Sequence, residues 1–276
     1  MFSRYVVGVD GSSPSRAALE WAAGRAQSER VPLVLAHVEE PEAGMMGQDF
    51  AREDLRTGAG VIADLTAQVS GRGLAVTAAL LDGPVAWALA DFTAPSDLLV
   101  VGTHKTGFLH GRVLGSRSVQ IAATASCSVA VVPDIDLRYR RGVVVGLDER
   151  DDPSIGLAAG AEADARGEQL SVIHAAGSAT ADTADRVRAG AVTAVRAAFP
   201  GLVIQTRKSQ RGPAQALLDA ARDKALLVVG PGSADHAGTV IGTVLHDVLL
   251  NVNAPVLVVR PSTGARISEL REVQIS

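Results

Sequence analysis

The 276-residue chain carries one pattern twice, and that repetition limits its folds more than any other feature. Tyr5-Val6-Val7-Gly8-Val9-Asp10 is a short apolar run that ends on a carboxylate, and Gly142-Val143-Val144-Val145-Gly146-Leu147-Asp148 answers it. Val34 to Val38 is matched by Ser171 to Ala175, and the Gly83-Pro84 helix start by Gly212-Pro213. Leu98-Leu99-Val100-Val101-Gly102 returns as Leu226-Leu227-Val228-Val229-Gly230, and Ser128 to Val132 returns as Pro255 to Val259. Matched positions lie 127 to 138 residues apart. That period is too long for a solenoid of small units, so a whole α/β unit is duplicated.

Between the apolar runs, hydrophobic residues recur at helical spacing. Ala18, Leu19, Ala22 and Ala26 form one stripe, with Trp21 beside it. Residues 54–70 carry Leu55, Ile62, Leu65 and Val69; the next two stripes hold Val85, Leu89 and Phe92, then Val119, Ile121, Ala122 and Ala125. Leu74 to Leu81 reads as a further strand. Strands that alternate with helices pair in parallel through right-handed crossovers. Each copy therefore predicts an α/β unit, an open doubly wound parallel sheet with helices on both faces. The boundary falls within Asp134 to Arg141 and gives units 1–137 and 138–276, with residues 262–276 lacking a counterpart in the first copy. Nearly half the chain is apolar but only 3% is aromatic, so the core must be aliphatic and alanine-rich.

A formal charge of −4 gives no footing for a nucleic-acid partner, and the short cluster Arg138, Arg140 and Arg141 reads as a solvated linker. No apolar run approaches the length of a membrane span and no leader precedes the first strand, which predicts a soluble, cytoplasmic protein with no membrane partner. Cys127 is the single cysteine, so no internal disulfide is available; its setting among small residues suits a buried, inert thiol.

The stretch with the most chemical content is 98–118. The buried strand Leu98 to Val101 stops at Gly102, a polar glycine-bearing loop follows, and a helix begins at Gly115-Ser116. Strand, loop, small residues and helix in that order aim backbone N–H groups and a helix dipole at a ligand above the strand, and a phosphate is the natural occupant. Gly58-Ala59-Gly60-Val61-Ile62-Ala63 fits the dinucleotide fingerprint by letter, but no strand precedes it. Phosphate-loop, nucleophile-elbow and zinc spacings are missing from the sequence. His37 and His174 end the matching second strands, where a metal pair is conceivable but structural histidines bound to backbone are the favoured reading; His104 and His110 lie in the loop, within reach of a phosphate; Trp21 and Trp87 read as helix residues that cover the sheet.

Taken together, the strand ending in Asp10, the Gly83-Pro84 helix, and Leu98 to Gly102 with its loop, each present twice, resemble the universal stress protein family in a tandem two-domain form. The resemblance implies a five-stranded sheet of order 3-2-1-4-5 in each half, of the adenine-nucleotide alpha-hydrolase type. It also implies dimerisation through the fifth strand, a contact that the two halves can make with each other or that two chains can make as a homodimer. The nucleotide-binding branch has Gly, two residues, Gly, nine residues, Gly, then Ser or Thr. The first copy keeps every spacing in Gly102, Lys105 and Gly115-Ser116, with lysine in place of the second glycine. The second copy has Gly230, Ser233 and Gly242-Thr243, with eight residues rather than nine before the last glycine.

By that resemblance the first half binds ATP or AMP, with Mg where a triphosphate needs it. Asp10 would meet the ribose or a metal ion, the backbone at Val38 the adenine edge, Gly102 would admit the phosphates, and Gly115, Ser116 and Ser118 would hold phosphate oxygens. The plainer role for Asp10 is a cap on the next helix. Lys105 either fills phosphate space or supplies a mobile cation to it. The expected function is a nucleotide-responsive stress module without committed chemistry, at most a slow ATPase; the alternative is a scaffold of the same fold that takes no nucleotide. An adenylate-forming enzyme would need Ser-Gly-Gly-x-Asp-Ser or His-x-Gly-His, and the chain has neither.

Overall fold

The computed structural model describes residues 2–40, 57–103, 116–147, 152–175, 181–232 and 241–261. In the first half, strands β1 (Tyr5–Gly8), β2 (Leu33–Glu39), β3 (Val76–Asp82), β4 (Leu98–Thr103) and β5 (Ser128–Pro133) alternate with helices α1 (Ser13–Glu29), α2 (Gly58–Val69), α3 (Val85–Phe92) and α4 (Ser116–Thr124). The second half repeats this as β6 (Val143–Gly146), α5 (Pro153–Ala165), β7 (Leu170–Ala175), α6 (Ala181–Ala198), β8 (Ile204–Ser209), α7 (Pro213–Ala221), β9 (Leu226–Val229), α8 (Thr243–Leu250) and β10 (Val256–Val258).

Local sequence sets the helix starts. Ser12 caps α1, its hydroxyl accepting from Ser15 N at 3.3 Å, and Pro14 sits in the first turn, where the missing N–H is harmless. Asp152 and Pro153 do the same for α5, with Ser154 N donating to the carboxylate at 2.9 Å. Helix α1 ends at Arg30, whose positive φ of 55° turns the chain so that Val31 N–H also donates to Ala26 O, at 3.1 Å.

Each half has the strand order 3-2-1-4-5, all parallel. The halves do not form two separate sheets. Strands β5 and β10 pair antiparallel, Val131 opposite Val256 and Val129 opposite Val258, and give one ten-stranded sheet. Alternate strand residues feed two cores. One face holds Tyr5, Val7, Leu98 and Val100 with Val143, Val145, Leu226 and Val228, under α1, α2, α5 and α6. The other holds Val6, Leu99 and Val101 with Val144, Leu227 and Val229, under α3, α4, α7 and α8. Both cores run through both halves without a break.

Several expectations shift in detail. The third strand starts at Val76 rather than Leu74, and the helix within 54–70 is described from Gly58. Trp21 packs partly buried against the first core as expected, but Trp87 is 54% exposed. Val85, Ala86 and Leu89 supply the inward face of α3, and Trp87 lies roughly 200° around the helix from Val85. Arg140 is no free linker residue: its guanidinium donates to Asn253 O at 2.6 Å, whereas Arg138 and Arg141 are exposed. Cys127 is fully buried, and burial pushes its thiol pKa up. No described helix is long and apolar enough to cross a membrane.

Candidate functional site

Strand β1 lies between β2 and β4, so the chain leaves it first to one side and later to the other. In such sheets the carboxyl ends of the two diverging strands leave a crevice that no crossover covers. Here that crevice is a cleft of about 170 Å³, open to solvent and lined by Asp10, Val38, Glu40, Gly102, Arg117 and Ser118 among others. A hollow of about 250 Å³ lies at the opposite, amino ends of β7 and β8, but its Glu168 already accepts from Gly142 N at 2.5 Å. The first cleft gathers polar side chains at the carboxyl edge of the sheet.

Asp10 follows β1 and turns its carboxylate toward the start of α1, where Ser12 N donates to Oδ1 at 2.9 Å. Burial opposes its charge, but hydrogen bonds from Ser12 and Ser15 outweigh that and hold the carboxyl below its ordinary pKa. The helix-start role and the cleft-lining role therefore coexist. Ionised at neutral pH, Asp10 can accept from a hydroxyl or approach a cation, but it is a poor general base.

Val38, near the end of β2, lines the cleft wall. Ser118 sits in the first turn of α4, 4% exposed, with Arg117 beside it reaching into solvent. Ser116 is the first residue of α4, at the end of that helix where N–H groups lack partners. Lys105, Gly115, His104 and His110 lie outside the described residues, as do Asp148 and Ser233 of the second half.

Gly102 has a reason the sequence did not suggest. A Cβ built there would lie 2.2 Å from Pro14 O and 2.8 Å from Ser15 N. The first turn of α1 thus fills the space a side chain would take, and the glycine is required by packing at the floor of the cleft. Gly58, the head of the false dinucleotide fingerprint, is also a packing glycine: its Cβ would fall 2.5 Å from the His37 ring. His37 Nδ1 donates to Val9 O at 2.7 Å, the backbone-bound role read for it.

Sequence reasoning missed the two charged lining residues Glu40 and Arg117. Glu40 follows β2 directly and spans the cleft: Oε2 accepts from Arg117 Nη2 at 2.9 Å, and Oε1 lies 3.5 Å from Val85 N at the start of α3. The available signal was position alone, one residue past a strand's carboxyl end and one inside a helix start.

In the second half the described residues on either side of 233–240 meet directly. Gly242 N donates to Pro231 O at 3.0 Å, and a Cβ on Gly232, whose φ is 76°, would meet Gly242 Cα at 3.0 Å. The N-cap amide of α8 is thus already used, and Val244 stands at the helix position that Arg117 takes in the first half.

Comparison with known proteins gives a consistent result. The universal stress protein family model matches residues 1–133. A universal stress protein of Mycolicibacterium smegmatis is 28% identical over 285 residues, covering 93% of this chain and 96% of that protein. One from Mycobacterium tuberculosis is 29% identical over 300 residues, with coverage of 92% and 94%. A solved universal stress protein from Archaeoglobus fulgidus superimposes with a TM-score of 0.71 over 95% of this chain and 100% of that one, a likeness of fold at 15% identity. Residues 1–133 therefore belong to the universal stress protein family, and along its length the chain is similar to universal stress proteins.

Proposed function

We propose that this chain is a nucleotide-responsive stress protein that binds ATP or AMP in the cleft of its first half. The observation that carries the reading is the cleft between the carboxyl ends of β1 and β4, with an ionised Asp10 on one wall and the first turn of α4 on the other. An adenine nucleotide suits that polarity. Its ribose hydroxyls can donate to Asp10, its base can lie along the apolar wall at Val38, and its phosphates meet Ser116, Ser118 and the positive end of α4. Gly115 at the loop's end and Lys105 within it complete the phosphate side in this reading.

Among the described residues no group of three or more metal-ligating side chains is present. A Mg ion would therefore enter with a triphosphate, Asp10 adding a single oxygen to ligands from phosphate and water. In this reading the site is a binding module, with hydrolysis at most slow. The second half, its loop ends hydrogen-bonded to each other, takes no nucleotide in this reading.

Equilibrium dialysis of the whole chain against labelled ATP tests this. Saturable uptake at a single site is expected, with loss on Gly115→Asp, where a carboxylate would face the phosphates. If ATP fails to saturate the wild type, and fails again after the cleft's Glu40 is neutralised, the chain is the non-binding scaffold instead.

A further inference from the structure

The cleft already contains an anion, and it belongs to the protein. Glu40 reaches across from the end of β2, pairs with Arg117 in the first turn of α4 at 2.9 Å, and brings its other oxygen to 3.5 Å from the first N–H of α3. A guanidinium and two helix starts, α3 and α4, are the donors a phosphate group seeks. Arg117 is also the cation that lines the cleft among the described residues, where Asp10 and Glu40 are both acidic. A polyphosphate entering as the chain stands would meet two carboxylates and a cation engaged by one of them.

We propose that Glu40 is an internal plug for a phosphate position, and that Arg117 is the residue which binds the ligand's phosphate once Glu40 is displaced. This rests on the nucleotide reading above and adds its control. The ligand class is a nucleoside di- or triphosphate, whose added phosphate charge gives it the larger gain from Arg117 when the carboxylate is displaced. Both partners are exposed, Arg117 at 67% and Glu40 at 46% by side chain, so the pair is weak enough to exchange. Exchange trades one carboxylate–guanidinium contact for a phosphate–guanidinium contact and removes the repulsion between Glu40 and the incoming charge.

Three variants of the full chain decide it, each titrated with ATP and with adenosine: Glu40→Gln, Arg117→Gln and the double variant. Glu40→Gln should tighten ATP binding about 5- to 10-fold, since it removes a competitor and a like charge together. Arg117→Gln should weaken ATP about 10-fold through loss of a charge-assisted contact. In the double variant the gain from Glu40→Gln should shrink to less than about 2-fold, because the two side chains act on one position. Adenosine affinity should stay within about 2-fold throughout, having no phosphate to compete. All three changes are at exposed side chains, and thermal melts matching the wild type confirm folding. If the wild type saturates with ATP and Glu40→Gln leaves the affinity unchanged or weaker, the plug is refuted while the nucleotide reading stands. Should ATP saturate only after Glu40→Gln, the plug is upheld in its strongest form. Uptake by neither protein removes the plug and the nucleotide reading together.

Discussion

At the scale of single residues, the cleft is held by atoms that do two jobs. Asp10 both receives the start of α1 and lines the cleft. Gly102 keeps the end of β4 against Pro14, so its substitution tests packing before binding. Gly102→Ala would place a methyl group 2.2 Å from a backbone oxygen, which has no flexible end to swing away. Helix α1 must shift, and a loss of about 1–3 kcal/mol is expected. A chemical-denaturation midpoint at the wild-type position would show that α1 yields freely. Sequence letters made Gly102 and Gly58 stand out but could not show their packing reasons, because a missing side chain is explained only by what occupies its space. His37 was legible in kind, a histidine bound to backbone, though not in its partner, Val9 O. Glu40 and Arg117 were invisible for a related cause: two ordinary surface charges become a unit only when 77 positions of chain fold to bring them to 2.9 Å.

Among elements, the most telling contact joins the halves away from the cleft. Arg25 of α1 makes two hydrogen bonds to Glu162 of α5, at 2.5 and 2.6 Å, a third to Glu29 at 3.0 Å, and lies 4.8 Å from the Trp21 ring centre. Burial works against the charge on Arg25, but Glu162 more than restores it, and the guanidinium is held above its ordinary pKa. Arg166 stands 3.7 Å from the same carboxylate, with its own pKa lowered by burial and by Arg25. Glu162→Ala would leave two guanidinium groups facing each other at 11% and 26% exposure. A destabilisation of about 3 kcal/mol follows from stranding a buried charge. Calorimetry should show it as a lowered Tm, and a change below about 0.5 kcal/mol would mean that Glu29 and water suffice for Arg25. Elements themselves were largely readable: strands from short apolar runs, helix starts from Ser12-Pro14 and Gly212-Pro213. Trp87 was not, since helical spacing gives a stripe without saying which large residue falls outside it.

For the molecule as a whole, the seam decides behaviour. Strands β5 and β10 join the sheets, Arg260 at the end of β10 donates to Ala122 O and Ala123 O at 2.7 and 3.3 Å, and each core crosses the seam. The halves should therefore unfold together. Differential scanning calorimetry is expected to give one transition whose calorimetric and van't Hoff enthalpies agree, and Leu257→Asp should lower that single transition as a unit. Two separated transitions, with only one moved by Leu257→Asp, would mean the halves are independent folding units. Sequence by itself determined the duplicated α/β unit and the order of its elements, because periodicity, caps and apolar runs are local properties that the chain carries wherever it goes. Tertiary structure alone decided that two sheets are one, that a glycine serves a helix, and that Glu40 meets Arg117 in the cleft. These depend on distances between residues far apart in the chain, and no local pattern encodes a distance.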